Sequence, residues 1–158
     1  MSSVSLNIQE DVFNPGFLQE QLLGLTRNCG GFASFTGYVR PLDLSDAAII
    51  SLYIEHYPGM TEKAIKEILR SACQRWNIEA ISVVHRVGQL FPRQPIVWIG
   101  ACAPHRGDAF SASEFVMDFL KTRAPFWKKE VTADGATWID SHDSDLKRID
   151  RWSSEQPT

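Results

Sequence analysis

Apolar and polar residues alternate over positions 4 to 9, with Val4, Leu6 and Ile8 on one side and Ser5, Asn7 and Gln9 on the other. A period of two marks a half-buried strand. Asn14-Pro15 then reads as a helix N-cap followed by proline in the first turn. Phe17, Leu18, Leu22 and Leu25 supply the apolar face, and Cys29-Gly30-Gly31 the stop. Residues 32–40, FASFTGYVR, are aromatic and β-forming, and Gly37 inside that run predicts a bulge or a close approach of backbone. A polar loop over 41–46 leads to a strand over 48–57, with faces Ile50/Leu52/Ile54 and Tyr53/Glu55/Tyr57.

Pro58-Gly59 turns the chain into the strongest helical pattern. Met60, Ala64, Ile68, Ala72 and Trp76 recur every four residues, with Ile65 and Leu69 beside them. Two strands follow, over 78–87 and 96–103. The second is apolar throughout, as expected in a sheet interior. A third helix is predicted from about Asp108 to Arg123, with Phe110, Phe115, Val116, Phe119 and Leu120 facing the core, and Pro125 ends it. Residues 127–131 and 137–139 around Asp134-Gly135 read as a hairpin. These elements predict an α+β fold with mixed and antiparallel strands and about three helices. A single catalytic domain is expected over 1–140. Residues 141–158 are read as a polar tail, short of core residues, either a loose helix or disordered.

Composition narrows the functional classes. Nine Phe, five Trp and three Tyr in 158 residues are ample for a packed core. A net charge of −3 weighs against a protein that neutralises a run of nucleic-acid phosphates. The longest apolar run, residues 96–103, is far short of the roughly 20 residues of a membrane-spanning helix. The opening segment lacks the basic and apolar regions of a secretory signal. Cys29, Cys73 and Cys102 form no CxxC pair and read as packing thiols of a cytoplasmic protein. His56, His85, His105 and His142 lack metal-ligand spacing.

Cations nevertheless concentrate in the C-terminal half. Residues 80–107 hold Arg86, Arg93 and Arg106 without an acid, and residues 121–129 hold Lys121, Arg123, Lys128 and Lys129 without an acid. A local surplus in an acidic chain suits a small anionic ligand; on composition alone a solvated surface is the simpler reading. His105-Arg106 stands where a strand hands over to a helix, a place suited to anions. Lys121 shares a helix face with Met117 and Glu114. It either complements the helix dipole or, held beside apolar surface, serves as acid, base or nucleophile. Strand alternation sends Lys128 and Lys129 to opposite faces, so one can enter a pocket while the other stays wet. A nucleotide- or RNA-binding module using Trp127 and Phe126 for stacking, and a Schiff-base enzyme at Lys121, remain open on these residues alone.

The motifs FTGYVR (35–40), YIEHYPGMTEKAIKEI (53–68), HRVGQL (85–90), APHRGDAF (103–110) and FVMDFLKTRAPFWKKE (115–130), followed by DGATW (134–138), occur in one order across residues 32–138. This set resembles the large, catalytic subunit of molybdopterin synthase. The resemblance implies an α/β hammerhead-type domain that forms a homodimer. It implies a small ubiquitin-like partner on each copy, giving a heterotetramer, and sulfur passing from the partner's C-terminal Gly-Gly thiocarboxylate to cyclic pyranopterin monophosphate. Two deliveries would make the dithiolene of molybdopterin. The resemblance implies catalytic roles for Lys121 and Lys128, and substrate contacts from these two with Tyr38, Val39, Arg40, His105, Arg106, Lys129 and Glu130. Family members commonly carry Lys at the position of Tyr38, so contact there is expected through backbone. No metal, resident cofactor, nucleic acid or membrane is expected. The pocket is expected to be narrow, shaped for a glycine tail without side chains.

Overall fold

The computed structural model describes residues 1–140 and 143–154; His142 lies outside them. Eight strands and four helices follow one another in these residues. They are β1 (Ser3–Gln9), α1 (Pro15–Leu23), β2 (Gly31–Tyr38), β3 (Ile49–His56), α2 (Met60–Arg75), β4 (Ala80–Arg86), β5 (Gly88–Leu90), β6 (Pro95–Ala103), α3 (Arg106–Arg123), β7 (Phe126–Thr132), β8 (Gly135–Ile139) and α4 (Asp143–Ser154). The α+β expectation holds, with a short strand and a fourth helix beyond it.

The strands form two four-stranded sheets, ordered β1-β4-β6-β2 and β5-β3-β7-β8. In the first, β1 and β4 run parallel and the other pairs antiparallel. Every residue of β4 is buried, because both faces of this sheet are covered. Ile81, Val83, Ile99 and Ala101 meet Ile65, Leu69, Ala112 and Val116 from α2 and α3. Ala80, Val84, Trp98 and Cys102 meet Leu22 of α1 on the other side. Full burial of side chains the size of Ile81 and Ile99 contributes about 1.5–3 kcal/mol each. The second sheet closes a smaller core of Val39, Ile49, Leu52, Ile54, Val87 and Leu90.

Local chemistry explains where the elements depart from the sequence pattern. Asn14 caps α1 as expected, its Oδ1 accepting from the Phe17 N–H at 3.2 Å. The helix stops at Leu23, however, where the Gly24 N–H donates to the Glu20 carbonyl. Phe17 and Leu25 are exposed, so only Leu22 serves as a full core contact. Gly30 permits a close approach instead of ending the helix, since a Cβ there would collide with the Pro104 carbonyl oxygen. The chain can pass the strand before α3 only because this residue has no side chain.

The β2–β6 register shifts between Gly37 and Tyr38, which is the predicted bulge. A second irregularity, between Ile49 and Ser51, has no counterpart in the sequence pattern. It turns Ile50 outward and Ile49 inward, because one extra residue reverses the alternation before it. Met60 and Phe110, assigned to core faces by periodicity, are exposed at the starts of their helices. The reading of residues 141–158 as short of core residues needs correction. Trp152 of α4 is buried against Trp76 and Phe115, with ring centroids 5.5 Å from each. Asp118 of α3 receives Trp152 Nε1–H at 2.7 Å, Arg148 Nε–H at 2.9 Å and Arg151 Nη2–H at 2.8 Å. One tryptophan and two arginines that contact a buried carboxylate, with Ile149 packed on the same core, dock an otherwise polar helix.

Candidate active site

A cavity of about 650 Å³ opens where the two sheets and the C-terminal half of α3 meet. This is the size of a small-molecule site, and roomier than a channel for a glycine tail alone. The Gly37 bulge at the end of β2 carries Tyr38, Val39 and Arg40 along one wall. From α3 come Met117, Leu120 and Lys121, spaced so that one helix face points inward. From β7 come Phe126, Lys128 and Glu130, three alternate residues on one face of the sheet. Asp140 and Asp145 complete the rim from beyond β8 and from α4.

Lys121 and Lys128 therefore line one cavity, from different elements. Burial holds the Lys128 ammonium below its usual pKa, and the nearby charges of Lys121 and Arg40 push the same way, while Asp145 opposes them. A lysine so placed carries a larger neutral fraction near neutral pH than a solvated one, and can take up or give a proton. Lys129 points the other way. Its Nζ stands 5.7 Å from the Tyr53 ring centroid and 5.2 Å from that of Trp138, on the outer face of the second sheet. It lies outside the cavity.

Arg40 lines the cavity, but His105 and Arg106 do not. They stand at the opposite end of α3, and Arg106 and Lys121 are separated along it by roughly 22 Å at 1.5 Å per residue. Within one chain, then, Arg40 and the His105-Arg106 pair do not meet. Arg86 also leaves the cationic count. Its guanidinium is buried and donates to the carbonyls of Glu10 and Pro95 and to Gln94 Oε1. No cluster of three or more His, Cys, Asp or Glu side chains suited to a metal occurs among the described residues. Burial pushes the Cys102 thiol up to about 12, beside Cys29, as suits a packing thiol rather than a nucleophile. No helix among the described residues is long and apolar enough to cross a membrane.

Two wall residues are not marked out by the sequence. There Phe126 suggests only stacking with a nucleic acid, and His85 only a histidine without metal spacing. In the structure their rings stack on each other, centroids 3.8 Å apart and planes 13° from parallel, at the cavity wall. The available signal is alternation in β7: a residue two before Lys128 must share its face. Nothing local in the sequence places β4 behind that face.

Comparison with known proteins agrees with this architecture. The family model for MoaE protein matches residues 8–123. The molybdopterin synthase catalytic subunit of Haemophilus influenzae is 45% identical over 152 residues, covering 96% of this chain and all of that protein. A molybdopterin biosynthesis MoaE protein from Burkholderia ambifaria superposes with a TM-score of 0.81 at 44% identity, over 98% of this chain and 100% of that one. Molybdopterin synthase from Staphylococcus aureus gives a TM-score of 0.78 at 30% identity, over 85% of this chain and 96% of that one. With its motif order, two-sheet fold and lysine-lined cavity, the chain belongs to the MoaE protein family, that of molybdopterin synthase catalytic subunits.

Proposed function

We propose that the chain transfers sulfur in molybdopterin formation, taking it from the C-terminal thiocarboxylate of a small ubiquitin-like subunit and delivering it to cyclic pyranopterin monophosphate. The observation that carries this reading is the convergence of Lys121 and Lys128 in one cavity with Arg40 at its wall. A thiocarboxylate is already an anionic nucleophile, so the protein needs cations to orient it and a group that moves protons at the reacting carbon. Lys121 supplies a cation that orients the thiocarboxylate. Lys128, with its pKa lowered by burial, supplies the proton acceptor and donor. Arg40 suits the phosphate, as a planar donor fork. Tyr38 and Val39 offer backbone contacts beside it, and Glu130 can accept from donors of the pterin. The volume leaves room for a pterin beside an extended glycine tail.

His105 and Arg106 stand at the far end of α3 from the cavity, so their part in the reading is assigned to a second copy. In a homodimer they approach the phosphate held by Arg40 of the other chain, and each copy carries one small subunit in a cytoplasmic heterotetramer. The experiment that tests the function combines the protein, the thiocarboxylated small subunit and the cyclic phosphate precursor, with dithiolene product as the readout. Product should form only when the partner carries the thiocarboxylate. Turnover with an ordinary carboxylate partner, or none with the thiocarboxylate, would overturn the reading.

A further inference from the structure

His85 is a cavity-wall residue for which the sulfur-transfer scheme so far has no role. It sits on β4, is 5% exposed, and is clamped against Phe126. Its Nδ1 lies 2.8 Å from the Arg86 carbonyl oxygen. A carbonyl only accepts, so Nδ1 carries the proton and Nε2 carries the lone pair. Among the described residues Nε2 has no hydrogen-bond partner, yet it is not an enclosed orphan: the one buried unpartnered side-chain atom found among them is Nη1 of Arg75. His85 lines the cavity, so the open acceptor belongs to the cavity surface.

We propose that His85 is a substrate-contacting specificity residue whose Nε2 accepts a hydrogen bond from an N–H group of the molecule bound in the cavity. This rests on the sulfur-transfer reading above, which brings two sources of such a donor. One is the ring and amino N–H set of the pterin, the other a peptide N–H of the partner's glycine tail. The cations at this site, Lys121, Lys128 and Arg40, recognise anionic groups. A neutral acceptor does the opposite: it faces its lone pair toward any carbonyl or phosphate oxygen placed there and disfavours it. His85 thus fixes which edge of the guest faces the inner wall.

Burial is what keeps the imidazole in this role. It drives the ring's pKa down to about 3, with the charge of Lys128 on β7 adding to the effect, the carbonyl of Arg86 opposing it and His56 on β3 adding a little. An ordinary histidine would gain a second N–H as the pH fell through 6.5, and would then repel the same donor. His85 stays an acceptor from neutral pH down to about 3.

The test measures binding of the cyclic pterin substrate alone, and separately of the small subunit ending in an ordinary carboxylate, to the full chain and to His85→Phe. Phenylalanine keeps the stack on Phe126 and removes the acceptor. Affinity for one of the two ligands should fall roughly 10- to 100-fold, the range for an unpaired buried polar group. Weaker pterin binding assigns the donor to the pterin; weaker small-subunit binding assigns it to the tail. On the unsubstituted protein, nitrogen NMR of His85 should show the Nδ1–H tautomer, and the Nε2 resonance should move when the ligand so identified is added. That measurement decides the matter even if His85→Phe does not fold. An unmoved Nε2 resonance with both ligands, or an Nε2–H tautomer, would overturn the proposal. Absence of dithiolene product from the unsubstituted protein would instead overturn the sulfur-transfer reading.

Discussion

At the scale of single residues, the face each side chain occupies separates lysines that look alike in the sequence. Lys121, Lys128 and Lys129 fall within nine positions, and only the first two enter the cavity. Replacing Lys128 by Ala should lower product formation roughly 100- to 10,000-fold, the usual contribution of a general acid–base group. The melting temperature at pH 7 should stay level or rise, because the desolvated ammonium opposes folding. Lys129→Ala removes contacts with Tyr53 and Trp138 and should leave the rate within a few-fold. Equal rates for Lys128→Ala and the parent would reduce the cationic cluster to a docking surface. Strand alternation makes the Lys128/Lys129 split legible in the sequence. The depth of Lys128 is not, because it depends on residues of β2, α3 and α4 that close the cavity around β7.

His85 carries a separate consequence for stability. Its folded pKa of about 3 lies below the ordinary 6.5, so between those values the unfolded chain binds the extra proton. Stability is therefore unaffected by this group above pH 6.5 and falls as the pH drops from 6.5 toward 3, at about 1.4 kcal/mol per unit once the unfolded histidine is charged. Asp118 acts lower: burial alone would raise its carboxyl, but Arg148, Trp152 and Arg151 hold it below its ordinary 3.8. Its stabilisation is lost only as the pH falls below that range. Urea denaturation at pH 7 and pH 5 should show a drop in the parent that is smaller in His85→Phe. An identical drop in both would show that His85 titrates normally.

At the scale of elements, periodicity locates every long strand and the helices α1, α2 and α3, each of which sets apolar residues on one side. It misplaces Ile50, where a bulge reverses the alternation, and it misjudges α4, whose attachment rests on a few residues. A largely polar helix docked by Trp152 and the Asp118 pairs has only the short apolar row Leu146, Ile149 and Trp152 to read, and Leu146 stays exposed. Trp152→Ala should destabilise the protein by about 3–5 kcal/mol, the range for truncating a buried Trp, measured by urea denaturation. Because Asp145 of α4 also lines the cavity, the same substitution should loosen one rim and change the rate as well as the stability. A loss below about 1 kcal/mol would mean that α4 adds little to the core.

At the scale of the whole molecule, the two sheets differ in how they are held. The first is covered on both faces, with β4 and β6 at its centre. The second leaves Tyr53, Trp127 and Trp138 exposed and ends in the β7–β8 hairpin. Amide hydrogen exchange should be slowest in β4 and β6 and fastest in β8, and the cyclic pterin substrate should slow it in β7. Uniform protection across both sheets would contradict this division of stability. The site is legible as a set of residues through the motif resemblance. Its partition is not: only the three-dimensional path of α3 shows that His105-Arg106 and Lys121 belong to opposite ends of one rod.

The parallel pairing of β1 with β4 bears on synthesis as well as on structure. Ser5 and Ser82 share a hydrogen bond across 77 residues of chain. At about 5–20 residues per second, a ribosome needs roughly 4–15 s to make that stretch. Throughout that interval the first strand has been made without β4, its one sheet neighbour among the described residues. It cannot pair locally into a hairpin, since its partner runs in the same direction and lies in the interior of the sheet. The nascent segment must therefore stay soluble on its own composition. Its sequence SVSLNIQ, with serine, asparagine and glutamine between the apolar positions, meets that demand before any tertiary contact exists.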